Sequence, residues 1–69
     1  MRMHFNELFT INNGAISPRF PVSIGGVTMG QGVSFGNGVS FGGVDLSQHT
    51  NSYFNVEIQN GVHVILGII

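Results

Sequence analysis

The chain has 69 residues, 42% of them hydrophobic, but only two basic and three acidic side chains, for a net charge of -1. A chain this short builds one small core, and with no cysteine it closes no disulfide. Two arginines without a lysine cannot supply the basic footprint that phosphate contacts require, so no nucleic-acid partner is expected.

Small folds compensate for a small core with disulfides, a metal or oligomerisation. The histidines at His4, His49 and His63 share no metal-ligand spacing, so neither a metal nor another cofactor is expected. Oligomerisation is then the expected staple. The charge count agrees: 7% charged residues compare with roughly 25% in an ordinary soluble domain, which suits a surface occupied by neighbours. Met1 to Glu7 lacks the apolar run of a secretory signal, and no stretch approaches the ~18 apolar residues of a membrane helix. No targeting or membrane segment is expected, and synthesis is expected in the cytoplasm.

A single domain, 1–69, reads in three parts. Residues 1–20 are expected to form an N-terminal hairpin. Phe5 to Thr10 alternate imperfectly, Asn13-Gly14 is a hairpin turn signal, and Pro18 ends or edges the return strand. A short helix over Arg2 to Phe9 is the alternative, although no good N-cap precedes it.

Residues 22–44 repeat. Val27-Thr28-Met29-Gly30-Gln31-Gly32, Val33-Ser34-Phe35-Gly36-Asn37-Gly38 and Val39-Ser40-Phe41-Gly42-Gly43-Val44 share one frame: Val, hydroxyl, large apolar, Gly, variable, mostly Gly. Val22-Ser23-Ile24-Gly25-Gly26 is a five-residue version. A fixed short period is the mark of stacked β architecture, with residues two apart sharing a face. The stretch resembles the hexad repeats of left-handed β-helices and of trimeric viral spike or fibre β-helices. It differs in carrying Phe35 and Phe41 where the left-handed β-helix has a small residue. The resemblance implies a β-prism in which three chains each give one hexad to every layer, and a virion decoration or spike component. In that form Val33, Phe35, Val39 and Phe41 face the shared axis. The alternative is a Gly-rich meander within a small sheet or barrel.

From Asp45 to Ser52 the chain is polar and reads as a loop or one helical turn capped by Asp45. Residues 53–69 are expected to form a C-terminal hairpin, with Tyr53 to Ile58 alternating cleanly before Gln59-Asn60-Gly61. A three-residue loop would pair Ile58 with Val62, Val56 with Val64 and Phe54 with Leu66, gathering all six on one face and leaving Glu57 opposite His63. Ile65 and Ile69 then fall on the solvent face, so the tail, with Ile65, Ile68 and Ile69, is expected at an interface.

Asp45, His49 and Ser47 or Ser52 supply the residue types of a hydrolase triad without a nucleophile elbow. Gly30-Gln31-Gly32 and Gly36-Asn37-Gly38 break the dinucleotide fingerprint at its last glycine. The expectation is therefore a non-enzymatic, all-β, self-assembling structural protein, a homo-oligomer with a trimer favoured. The alternatives are a small protein-binding module using a sheet edge or the 47–53 loop, and a minimal or engineered β scaffold without a ligand.

Overall fold

The computed structural model describes residues 1–69. Strands β1 (Arg2–His4), β2 (Phe9–Asn12), β3 (Ala15–Pro18), β4 (Val22–Ile24), β5 (Val27–Met29), β6 (Ser40–Phe41), β7 (Val44–Asp45), β8 (Tyr53–Gln59) and β9 (Val62–Ile68) dominate. Helical structure is confined to α1 (Phe5–Leu8) and a 3-10 turn over Leu46–Gln48. The main sheet has the order β1-β8-β9-β4-β5, while β2-β3 and β6-β7 form separate two-stranded ribbons. The protein is a small all-β fold whose main sheet is open rather than closed into a barrel.

Four two-residue turns organise these strands. Asn13-Gly14, Gly25-Gly26, Gly42-Gly43 and Asn60-Gly61 all have two successive residues at positive φ. That geometry is the type I′ hairpin, whose twist matches the strands it joins. The first residue of each pair distinguishes them. Asparagine serves in two turns. In the other two, glycine is forced, because a Cβ on Gly25 would lie 2.6 Å from the Gly42 Cα and one on Gly42 would lie 2.7 Å from the Gly25 Cα. The two Gly-Gly turns thus pack backbone against backbone.

The repeat does not propagate as a coil. Val22–Met29 is one hairpin and Ser40–Asp45 another, while between Gly30 and Val39 the only strand contact is an isolated bridge from Phe35 to Ile16. Phe35 and Phe41 turn towards the chain's own core. Ring contacts run from Phe5 to Phe9 (5.0 Å), Phe9 to Phe35 (6.5 Å) and Phe35 to Phe41 (4.9 Å). Such pairs contribute about 0.5–1.5 kcal/mol each beyond area burial. Large rings where the left-handed β-helix has small residues have this use: they tie the glycine-rich segment to the core.

Phe5 to Leu8 is one helical turn rather than part of a strand. His4 caps it after all: its Nδ1 accepts from the Asn6 amide, and the Glu7 carboxylate accepts from the His4 amide. This is a capping box built on histidine instead of serine or threonine. The turn places Phe5 and Leu8, three apart, on one fully buried face. The expected Asn13-Gly14 hairpin follows, and Pro18 sits at a position whose missing N–H no ladder bond needs, opposite Phe9.

The C-terminal hairpin corrects the sequence-based register. The loop has two residues, so Gln59 pairs with Val62, Ile58 with His63, Glu57 with Val64 and Val56 with Ile65. Turn geometry outweighs tidy segregation here, because Asn60 and Gly61 both adopt the left-handed conformation a type I′ turn requires. A bulge between Asn55 and Val56 then restores Phe54 opposite Ile68. Ile65 therefore enters the core, Leu66 is 55% exposed, and His63 takes a core-side position. His63 does not face Glu57; it stacks on Phe20 at 3.9 Å and 21°.

The core comprises Phe5, Leu8, Phe9, Ile16, Val22, Ile24, Met29, Leu46, Phe54, Val56 and Ile65, and no polar residue is buried with them. Each fully buried side chain of this size contributes about 1.5–3 kcal/mol.

Gly25→Ala should destabilise the protein by about 2–5 kcal/mol, through a positive φ and a backbone collision together. Gly26→Ala, with a positive φ but open space above it, should lose only about 1–2 kcal/mol. Urea denaturation of both variants measures the difference; equal losses would contradict the turn-on-turn contact.

Candidate functional site

The most distinctive surface feature lies where β4 stops and β9 continues. These strands run parallel, with Val22 beside His63 and Ile24 beside Ile65. At Gly25 the chain leaves β4, whereas β9 proceeds to Ile68. Beyond Ile65, no strand of the chain lies on that side of β9.

Hydrogen-bond alternation shows which groups face the vacated lane. The Ile69 amide donates to the Tyr53 carbonyl at 2.9 Å. On the far side of β8, the Met1 amino group and the Val56 amide donate to each other's carbonyls. In an antiparallel ladder bonded and non-bonded pairs alternate. Phe54 therefore directs its amide and carbonyl towards β1, and Ile68, opposite it, directs its own away from β8 into the lane.

A cleft of about 210 Å³ accompanies this edge, lined by Ile24, Phe41, Val44, Ile65, Leu66 and Ile68 together with Gly25, Gly42 and Gly67. It carries no charged side chain. The stacked Gly-Gly turns form one end of it, and an added Cβ on Gly67 would meet nothing within 4 Å.

The residues anticipated for assembly divide accordingly. Phe41, Ile65 and Ile68 converge on the cleft. Ile65 is a buried core residue and Phe35 is half-buried against the core. Val33 and Val39 are exposed but do not line the cleft, and Ile69 is 66% exposed just beyond β9. Leu66, Ile24 and Val44 escaped sequence reading. Leu66 depends on the bulge, and the other two depend on long-range packing of the two glycine turns.

The other candidate groups lie apart. His4 packs edge-on against Tyr53, whose ring also faces Arg2 at 4.8 Å, and these three occupy the opposite face of the sheet from the core. His63 is stacked under Phe20, with its Nδ1 buried and unpartnered. His49 ends the 3-10 turn. No group of three or more potential metal-ligating side chains comes together.

Asp45 acts as the cap that its position predicted. Its carboxylate accepts from the Ser47 amide at 3.0 Å, the Ser47 hydroxyl at 2.6 Å and the Gly38 amide at 3.3 Å. Ser47 thus donates its hydroxyl proton towards Asp45, and no hydrogen bond joins the His49 ring to Ser47 or Ser52. No helix is long and apolar enough to cross a membrane. Comparison with protein-family models, with curated proteins and with solved structures finds no match.

The Ser47 hydroxyl, helped by the Ser47 and Gly38 amides and by His49, holds the Asp45 carboxyl below its ordinary value against the opposing effect of burial. A carboxyl lowered by folding stabilises the fold above its unfolded value near ~4, and that contribution disappears as pH falls through the folded value. The stability advantage of the parent over Asp45→Asn should be present at neutral pH and vanish in acid. NMR titration of the carboxyl carbon checks the cause; titration at or above the ordinary aspartate range would contradict it.

Proposed function

We propose that the chain is a structural, non-enzymatic β-protein that functions by assembling with copies of itself. The observation that carries this reading is the uncharged cleft beside an unpaired stretch of β9, continuous with exposed Leu66, Ile68 and Ile69. Unpaired strand edges are templates for further strands, and natural proteins blunt them with charge, proline or bulges that twist them away. Here a bulge precedes the edge, but no charged side chain or proline guards Leu66 to Ile69.

Composition supports the same conclusion. With five charged side chains on 69 residues, little charge is available to keep copies apart. Exposed Val27, Val33 and Val39 add apolar surface on the repeat segment. The tail of β9 supports assembly more directly than three-fold packing of the phenylalanines, since Phe35 and Phe41 pack half-buried against the chain's own core. A role in a larger particle, such as a virion decoration or spike, rests on the hexad resemblance alone.

A protein-binding module is the second reading, and the same edge favours it, since strand addition is a common mode of peptide recognition. The mass of the purified protein across a dilution series separates the two. Self-assembly predicts a multiple of the chain mass that persists on dilution, and a monomer throughout would overturn it. Leu66→Asp changes a side chain outside the core, so it should leave the monomer folded and reduce the assembled fraction by about tenfold or more, because a desolvated lone carboxylate penalises the contact.

A further inference from the structure

We infer that the vacated lane beside β9 is filled by the β9 tail of a second copy, running antiparallel across a two-fold axis at Ile68. The inference rests on the self-assembly reading and specifies its contact.

Three features converge on this occupant. First, Ile68 offers one amide and one carbonyl towards the lane, as the alternation of bonded pairs requires. A residue with both groups free on one side is satisfied by an extended backbone, because a strand returns one acceptor and one donor at matching spacing. Across a two-fold axis the same residue of each copy does so: each Ile68 amide donates to the other Ile68 carbonyl, forming two hydrogen bonds.

Second, the walls specify what side chains the incoming strand carries. The cleft is apolar and uncharged, so a charged segment would be desolvated there without a partner. Leu66-Gly67-Ile68-Ile69 is uncharged and apolar in its side chains. Each copy thus presents both the lane and a strand that fits it, which is the self-complementarity a two-fold contact demands.

Third, the other edges of the main sheet are less suited. On β1 the outward-facing His4 amide is already bonded to the Glu7 carboxylate, and Arg2 brings a charge. On β5 the Gly25-Gly26 turn makes Val27 and Met29 face β4, leaving Thr28 alone to face outwards beside no cleft.

Amide hydrogen exchange by NMR, on dilute and concentrated samples of the intact chain, tests this directly. The Ile69 amide, bonded to Tyr53, should be protected at both concentrations. The Ile68 amide should exchange quickly when dilute and slow by about tenfold or more on assembly. Assembly without that slowing would overturn the β9 contact while leaving self-assembly intact; failure to assemble at any concentration would overturn both. Ile68→Pro provides a second route. It removes an N–H that β8 does not use, so a folded monomer is expected by circular dichroism and light scattering, and retention of the parental mass would overturn the pairing.

Discussion

The contact between two glycine turns is the constraint on which this structure depends. Gly25 and Gly42 approach so closely that neither tolerates a Cβ, and both hold a left-handed conformation. Their meeting fixes the β6-β7 ribbon against the end of the β4-β5 hairpin. The Gly25-Gly26 turn itself stops β4 at Ile24, three residues short of the end of β9. The unpaired lane is therefore a consequence of that turn, and the apolar cleft beside it a consequence of how the two hairpins pack. An asparagine at either position would satisfy the turn, as Asn13 and Asn60 do elsewhere, but would separate the hairpins.

A second constraint comes from the size of the chain. Eleven residues form the core, and four phenylalanines in ring contact extend it into a segment otherwise rich in glycine. Phe35 and Phe41 serve the monomer in this way while staying half-buried, and Phe41 also lines the cleft. Apolar surface is exposed at the β9 tail, where the same sheet that supplies the core also presents Leu66 and Ile68, and at Ile11, Val27, Val33, Val39 and Ile58. In the proposed assembly, stability and association would draw on neighbouring residues of one strand.

Much of the local structure was legible in the sequence, because turn chemistry is local. The two Asn-Gly pairs marked their hairpins, Asp45 marked its cap, and Phe54 and Val56 marked the buried face of β8. The helical turn at Phe5 was hidden by its unusual histidine cap, since propensity rules look for serine, threonine or aspartate there. The β9 register failed for a different reason. Sorting apolar residues onto one face favoured a three-residue loop, but burial of Ile65 is decided by parallel pairing with Ile24, forty-one residues earlier in the chain, and by a bulge that releases Leu66. The hexad repeat has no matching backbone repeat within the chain. Its glycines are periodic in sequence, yet Gly25-Gly26 and Gly42-Gly43 serve as hairpin turns while those between them lie in irregular chain. Of the candidate site, the apolar tail was visible and the cleft beside it was not, since its walls come from three separate hairpins.

The central claim is that copies of this chain meet through the tail of β9. Isotope-filtered NMR on a mixture of labelled and unlabelled chains reads such contacts without altering any residue. The account predicts intermolecular contacts confined to Leu66 to Ile69 and the cleft walls around Phe41 and Val44. Intermolecular contacts centred on Val33 and Val39 instead, with none from Ile68, would contradict it.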